Sequence, residues 1–229
     1  TENDGIKVYK NKTPADENLL FELNGESKNK FSLSSNSITY IFEDDEGLVW
    51  IGTPGYGLNK FNPVTKQIEI FKNEKDNPNT LPGDFIHTVI QDRAGLIWIG
   101  TGRNGLCRFD KKTKSFKNFR ENLNDPSDNK YLSSREVISI VEDQSGYLWL
   151  GTTTGGVNRF DRITETFTHY LHIHEDDKSI SNNRVVSMFI DSQKRLWIGT
   201  YSGGLNLYDE KTNSFIHFME EDGLASNTV

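Results

Sequence analysis

The stretch Asp92-Arg93-Ala94-Gly95-Leu96-Ile97-Trp98-Ile99-Gly100-Thr101 decides the fold of this chain, because the same phrase occurs four times. Upstream it reads Asp44-Asp45-Glu46-Gly47-Leu48-Val49-Trp50-Ile51-Gly52-Thr53. Downstream it returns as Asp143-Gln144-Ser145-Gly146-Tyr147-Leu148-Trp149-Leu150-Gly151-Thr152 and as Asp191-Ser192-Gln193-Lys194-Arg195-Leu196-Trp197-Ile198-Gly199-Thr200. The indoles lie 48, 51 and 48 positions apart and use up all 4 tryptophans. A period near fifty residues, built of strand-like segments, marks stacked units that cannot bury their apolar faces alone.

Aligned on tryptophan, each unit resolves into four strands. The first, residues 38–42 with counterparts 86–90, 137–141 and 185–189, is apolar at nearly every position. Such a strand is expected to be buried on both faces. Asp-x-x-Gly then makes a turn, Asp through its side chain and Gly through a backbone conformation costly to other residues. Lys194 replaces that glycine in the fourth copy, where a slightly different turn is expected. The second strand carries the tryptophan. A glycine at Gly57, Gly105, Gly156 or Gly204 precedes the third, which covers 58–62, 106–110, 157–161 or 205–209. The fourth carries Phe116 and Phe119, Phe167 and Tyr170, or Phe215 and Phe218, with Ile68 and Phe71 in the first copy. Four antiparallel strands joined by tight turns at this period form the blade of a β-propeller; apolar spacing of the helical kind is absent.

The chain therefore reads as all-β, a propeller segment of four-stranded antiparallel blades. Full blades are expected over 33–80, 81–131, 132–179 and 180–223, with a partial blade over 1–32 and the start of the next over 224–229. Within the partial blade, 5–9 fits a third strand and 19–23 a fourth. An open stack leaves unpaired strand edges. A segment of a larger propeller is accordingly expected, ahead of a closed five-bladed ring or closure by a second molecule.

Of 229 residues, 34% are hydrophobic, 11% aromatic and 26% charged, with a net charge of -7. That balance argues against nucleic acid as a partner, since phosphate binding needs clustered Lys and Arg. No apolar run approaches the ~20 residues that span a bilayer, and Thr1-Glu2-Asn3-Asp4-Gly5 is unlike a signal peptide. Cys107 is the single cysteine, so no internal disulfide forms, and a small buried strand residue is expected there.

The phrase Asp-x-x-Gly-x-[Leu/Val/Ile]-Trp-[Ile/Leu]-Gly-Thr-x-x-x-Gly-[Leu/Val]-x-x-[Phe/Tyr]-[Asp/Asn], followed by Leu-Ser-x-Asn-x-[Ile/Val], resembles the two-component-regulator propeller repeat over residues 33–229. Such repeats form the periplasmic sensor region of hybrid two-component histidine kinases in Bacteroidetes-type bacteria. The resemblance implies two seven-bladed propellers in tandem, then an immunoglobulin-like domain, a membrane span and a cytoplasmic kinase with response-regulator and DNA-binding parts. None of those later parts is in this sequence. It also implies a non-catalytic sensor of oligosaccharides that controls glycan-utilisation genes. The segment is expected to pair with a neighbouring propeller or a second subunit, as a homodimer in the full-length protein. It would reach the membrane only through downstream parts. The resemblance carries no ligand residue onto this sequence, and no cofactor is expected.

Several motifs invite other readings. Gly100-Thr101-Gly102-Arg103-Asn104-Gly105 spells the dinucleotide fingerprint, but that fingerprint works only between a strand and a helix. Here it falls between two strands. His169, His172 and His174 are placed on a fourth strand ahead of Glu175-Asp176-Asp177, and His172 with His174 could pinch a metal. A solvated cluster is the plainer reading, and no metal site is assigned. His87, on a first strand, is read as a partly buried histidine. Most Asp residues recur at turn positions, which leaves no distinct carboxylate pair for glycoside hydrolysis. Two alternatives to a sensor stay open. A propeller lyase of the streptogramin-lyase type would need a distinctive His or Glu in one blade, with His87 or the His169 cluster as candidates. A plain protein-interaction scaffold needs neither.

Slots that repeat in every blade hold framework, whereas slots that vary are free to recognise a ligand. Loops between second and third strands share a face with the loops entering the first strands. Their variable residues are Tyr56, Arg103, Asn104 and Tyr201, with Asp84, Phe85, Arg135, Glu136, Asn183 and Arg184. Tyr, Arg and Asn offer the aromatic faces and planar hydrogen-bonding groups that suit sugars. A subset of these is expected to touch an acidic or neutral oligosaccharide, or the neighbouring propeller.

Overall fold

The alternation of apolar and polar residues between tight turns gives antiparallel ladders throughout. The computed structural model describes residues 4–10, 19–25, 32–125 and 127–229. Among these there is no α-helix. The partial blade is a hairpin of β1 (Ile6–Tyr9) and β2 (Leu19–Leu23); the rest of that expected unit lies outside the described residues. The first full sheet runs β3 (Tyr40–Glu43), β4 (Val49–Gly52), β5 (Leu58–Asn62) and β6 (Gln67–Phe71), each strand pairing with the next. The second holds β7 (Ile86–Gln91), β8 (Ile97–Thr101), β9 (Leu106–Asp110) and β10 (Ser115–Phe119). The third holds β11 (Val137–Glu142), β12 (Leu148–Thr152), β13 (Val157–Asp161) and β14 (Thr166–Tyr170). The fourth holds β15 (Val185–Ile190), β16 (Leu196–Thr200), β17 (Leu205–Asp209) and β18 (Ser214–Phe218).

Successive sheets meet through their first strands: β3 against β7, β7 against β11, and β11 against β15. The sheets therefore fan around an axis lined by those four strands. This corrects the expectation that the first strand is buried on both faces. Ile41, Val186 and Phe189 are exposed, because one side of an innermost strand looks onto the axis. A bulge near the start of β7, β11 and β15 leaves His87, Ile138 and Val186 out of the ladder. Bulges of this kind re-aim a side chain.

The core lies in the seams between blades. Trp50 packs against Phe109 of the following blade with ring centroids 5.8 Å apart, Trp98 against Phe160 at 5.6 Å, and Trp149 against Tyr208 at 4.6 Å. A buried indole must place its N–H. The aspartate six residues earlier takes it: Trp50 Nε1 donates to Asp44 Oδ2 at 2.9 Å, with equivalents of 2.7 Å at Asp92, 2.7 Å at Asp143 and 2.8 Å at Asp191. The other oxygen of the same carboxylate accepts backbone N–H groups of the turn, those of Glu46 and Leu48 at Asp44. One side chain thus fixes both the turn and the tryptophan rotamer.

A second tie sits at the other end of each blade. Asn59 donates from Nδ2 to Ile51 O and Ser34 Oγ and accepts the Ser34 N–H, anchoring the chain that enters the blade. Asn158 with Ser133, and Asn206 with Ser181, repeat the tie. In the second blade the pair is replaced by Cys107 and Pro82. Proline has no N–H to give, so an asparagine acceptor has no task there, and Cys107 fills the slot as a fully buried thiol. Burial pushes that thiol well above its ordinary range.

The fourth turn keeps its shape rather than changing it. Lys194 adopts φ 68°, beside 74°, 83° and 87° for Gly47, Gly95 and Gly146, and its N–H still reaches Asp191 O at 2.8 Å. A non-glycine residue in that region costs about 1 kcal/mol. Lys194→Gly is therefore expected to raise stability by about that much in a denaturant melt; an unchanged or lower midpoint would contradict the strain.

Candidate ligand-binding face

The second-to-third-strand loops, 53–57, 101–105, 152–156 and 200–204, meet the entry loops of the following blades at the end away from the aspartate turns. Gly57, Gly105, Gly156 and Gly204 donate their N–H to the carbonyls of Asp84, Arg135, Asn183 and Asn227 at 2.9, 2.7, 2.9 and 2.7 Å. These are bonds between one blade and the next. They hold the backbone of the loops as a rigid platform for the side chains that project from it.

The ten variable positions divide by what their side chains already do. Asp84 Oδ1 accepts the Asn73 N–H at 2.7 Å, and Asn183 Oδ1 accepts the His172 N–H at 2.7 Å. Asn36 and Asn227 make the same bond, so this slot carries a framework role. Asn104 fills the space beneath Gly83, where an added Cβ would lie 2.3 Å from Asn104 Oδ1. Glu136 Oε2 accepts the Thr153 hydroxyl at 2.8 Å. The remaining six make up the free surface. Tyr56, Phe85 and Tyr201 are 53%, 42% and 46% exposed. Arg103 and Arg135 are exposed and make no ion pair among the described residues. The Arg184 guanidinium lies 4.2 Å from the Tyr201 ring centroid, a cation–π stack at the surface.

Two features of this face go beyond the variability that marked Arg135 as a candidate. Arg135 occupies the slot that holds Asn36, Asp84, Asn183 and Asn227 in the other copies, so its side chain cannot accept the usual N–H. Beside it opens a cavity of about 350 Å³ lined by Glu121, Leu123, Ser134, Glu136, Thr153 and Thr154. The departure of one copy from its siblings was the available signal. The other feature is His87, turned out of the ladder by its bulge and set 5.0 Å from the Phe85 ring. Burial holds its pKa below the usual histidine range, against the opposing charge of Glu136, so the imidazole is neutral at neutral pH.

The histidine cluster disperses. His169 lies on β14, but His172 and His174 fall in the loop beyond it, contrary to their expected place on the strand. His169 Nε2 donates to Tyr131 O at 2.9 Å and His172 Nδ1 to Ile180 O at 2.9 Å. His217 on β18 makes the equivalent bond to Ser179 O at 2.7 Å. Outer-strand histidines thus pin the loop that enters their own blade. No three His, Cys, Asp or Glu among the described residues converge as metal ligands. Of the dinucleotide-like glycines, Gly100 lies on β8 and Gly102 and Gly105 in the β8–β9 loop, with no helix following.

Radial four-stranded sheets locked by repeated Asp–Trp pairs define a repeat β-propeller. Residues 32–55, 80–103, 131–154 and 179–202 each match the two component regulator propeller family. The chain carries four repeats of that family. No curated protein matches it. Among solved structures it is similar to the extracellular domain of the putative hybrid two component system BT3049 from B. thetaiotaomicron, with a TM-score of 0.70 and 22% identity. That match covers 85% of this chain and 25% of the other. The extracellular domain of the putative hybrid two component system BT4673 from the same organism aligns at TM-score 0.73 and 22% identity, over 95% of this chain and 29% of that one. PorZ, a surface component of the type-IX secretion system of Porphyromonas gingivalis, aligns at TM-score 0.70 and 15% identity, over 99% and 33%. The chain thus spans a quarter to a third of the length of these structures, which share its fold.

Proposed function

We propose that this chain is part of the extracytoplasmic sensing propeller of a hybrid two-component system, and that its loop face binds an oligosaccharide. One observation carries the reading. In a repeat whose framework slots are locked by hydrogen bonds, the side chains of Tyr56, Phe85, Arg103, Arg135, Arg184 and Tyr201 make no framework hydrogen bond or ion pair among the described residues and share one rigid face, with Arg184 stacked on Tyr201. Aromatic faces stack on sugar rings, and guanidinium groups fork onto hydroxyl or carboxylate pairs. The family match and the kinship in fold with extracellular domains of hybrid two-component systems support the cellular role. The ligand would favour one arrangement of paired propellers over another, and only that difference in affinity can pass to a kinase in the cytoplasm. The kinase would lie in a part of the protein that this sequence does not include, and the propeller itself performs no chemistry.

The test is a glycan array followed by calorimetric titration of the best oligosaccharide. Tyr56→Ala, Arg103→Ala and Tyr201→Ala are each expected to weaken binding by about tenfold, the effect of removing a side chain worth roughly 1–2 kcal/mol at an interface. Unchanged affinity in all three would remove the assignment. Turnover of the glycan would point instead to a lyase, and an array without any binder to a protein scaffold.

A further inference from the structure

The aspartate-turn ends of the blades, on the face opposite the proposed oligosaccharide site, are clasped across the first two seams in a repeated way. At the first seam Lys111 Nζ lies 3.2 Å from Asp44 Oδ2, 3.0 Å from Asp45 and 2.8 Å from Glu46. Gln91 exchanges two hydrogen bonds with Asp45 beside it. At the second seam Arg162 reaches Asp92 Oδ2 at 2.6 Å and Glu142 at 2.9 Å, and Glu142 also takes Arg93 at 2.9 Å. A cation from the next blade thus sits on the very carboxylate that holds the tryptophan.

The third seam breaks the rule at both positions. Glu210 stands in register with Lys111 and Arg162, and Ile190 with Gln91 and Glu142. Asp143 keeps its bonds to Trp149 Nε1 at 2.7 Å and Tyr147 N at 3.0 Å, but it has no ion-pair partner among the described residues. Where the clasp is missing, a cavity of about 600 Å³ opens, lined by Asp143, Tyr147, Trp149, Ile190, Tyr208 and Glu210 among others. Two arginines border it and both are engaged. Arg159 lies 4.7 Å from the Tyr147 ring centroid, and Arg195 is held by Asp191 Oδ2 at 2.7 Å. Lys194 and Lys211 are exposed at the rim.

We propose that this seam binds a small organic amine. Its ammonium takes the place that Lys111 and Arg162 fill on the sibling aspartates, with Asp143 and Glu210 as the two carboxylates. Its apolar body lies against Tyr147, Tyr208 and Ile190. The sibling seams supply the argument: the same carboxylate, in the same geometry, carries a cation wherever the chain provides one. The volume falls within the roughly 300–1,000 Å³ range of small-molecule sites, and an ammonium on a partly buried carboxylate makes a charge-assisted hydrogen bond.

Phenethylamine and its neutral counterpart phenethyl alcohol test this by calorimetry, with the four indole N–H signals followed by NMR. The amine is expected to bind about tenfold tighter than the alcohol, as the loss of one charge-assisted bond implies, and to shift the Trp149 indole signal. Rebuilding the clasp with Ile190→Gln and Glu210→Lys is expected to abolish amine binding. Should that variant not fold, Glu210→Gln is expected to weaken the amine severalfold and leave the alcohol unchanged. No amine binding, equal affinity for both probes, a shift confined to another indole, or amine binding undiminished by these substitutions would each overturn the proposal.

Discussion

Asp92→Ala is expected to destabilise the protein by about 3–5 kcal/mol, the cost of removing one partner from a buried ion pair. The Asp92 side chain is fully buried, and its carboxylate takes four donors: Ala94 N at 2.9 Å, Leu96 N at 3.0 Å, Trp98 Nε1 at 2.7 Å and Arg162 Nη1 at 2.6 Å. Truncation strands an indole N–H and a guanidinium in the second seam and removes the anchor of the β7–β8 turn. At this chain length the loss corresponds to a fall of about 10 °C in thermal midpoint. Asp92→Asn retains an acceptor for the indole but discards the charge that faces Arg162, so a smaller loss is expected. Asp191→Ala is expected to cost less still, because Asp191 is partly open to solvent and its cation, Arg195, is exposed. Equal losses at Asp92 and Asp191 in a calorimetric melt would show that the seam contributes nothing beyond the turn.

Gly105→Ala has the second large effect. Gly105 adopts φ 83°, and an added Cβ would lie 2.2 Å from Phe119 O. Neither the strand carbonyl nor the loop can yield easily, because the Gly105 N–H is tied to Arg135 O of the next blade. Strained backbone costs about 1–3 kcal/mol, and the clash with a fixed carbonyl takes the expected loss beyond 3 kcal/mol. Gly55 is the matched control. It has the same φ of 83° but nothing within 4 Å of the added Cβ, so Gly55→Ala is expected to lose only about 1–2 kcal/mol, the cost of the conformation alone. If the two substitutions cost the same, the close approach at Gly105 is not what requires glycine.

The strands, their order and the strand that carries tryptophan were legible because they recur, and recurrence separates framework from accident within one sequence. What recurrence hid was the purpose of paired slots. The aspartate read as turn chemistry alone because its bond to an indole six residues later depends on how the turn folds back beside the second strand. The link between Pro82 and Cys107 is visible in the residues, yet it acquires meaning only once Asn59 and Ser34 are seen to exchange hydrogen bonds. The exposure of Phe189 and Ile41 was missed because an apolar run looks the same whether its second face meets a blade or the axis. On the candidate face, variability alone grouped Asp84 and Asn183 with Arg103 and Tyr201, whose side chains make no framework hydrogen bond. Asp and Asn are interchangeable as acceptors for one backbone N–H, so that slot varies in letter while its bond is constant. The converse signal lies in Arg135, Glu210 and Ile190, where one copy abandons a bond that the others keep.

In the proposed function, a locked framework presents on one face, as the recognition surface, the side chains it does not itself use for hydrogen bonding. A crystal structure of the chain with the oligosaccharide selected on the array tests it most directly. Sugar rings are expected to sit on Tyr56, Phe85 or Tyr201 with hydroxyl or carboxylate groups on Arg103, Arg135 or Arg184, and the bonds from Gly57, Gly105 and Gly156 to the next blade are expected to be intact. Sugar bound on the aspartate-turn face, or bound only where those cross-blade bonds have broken, would contradict it.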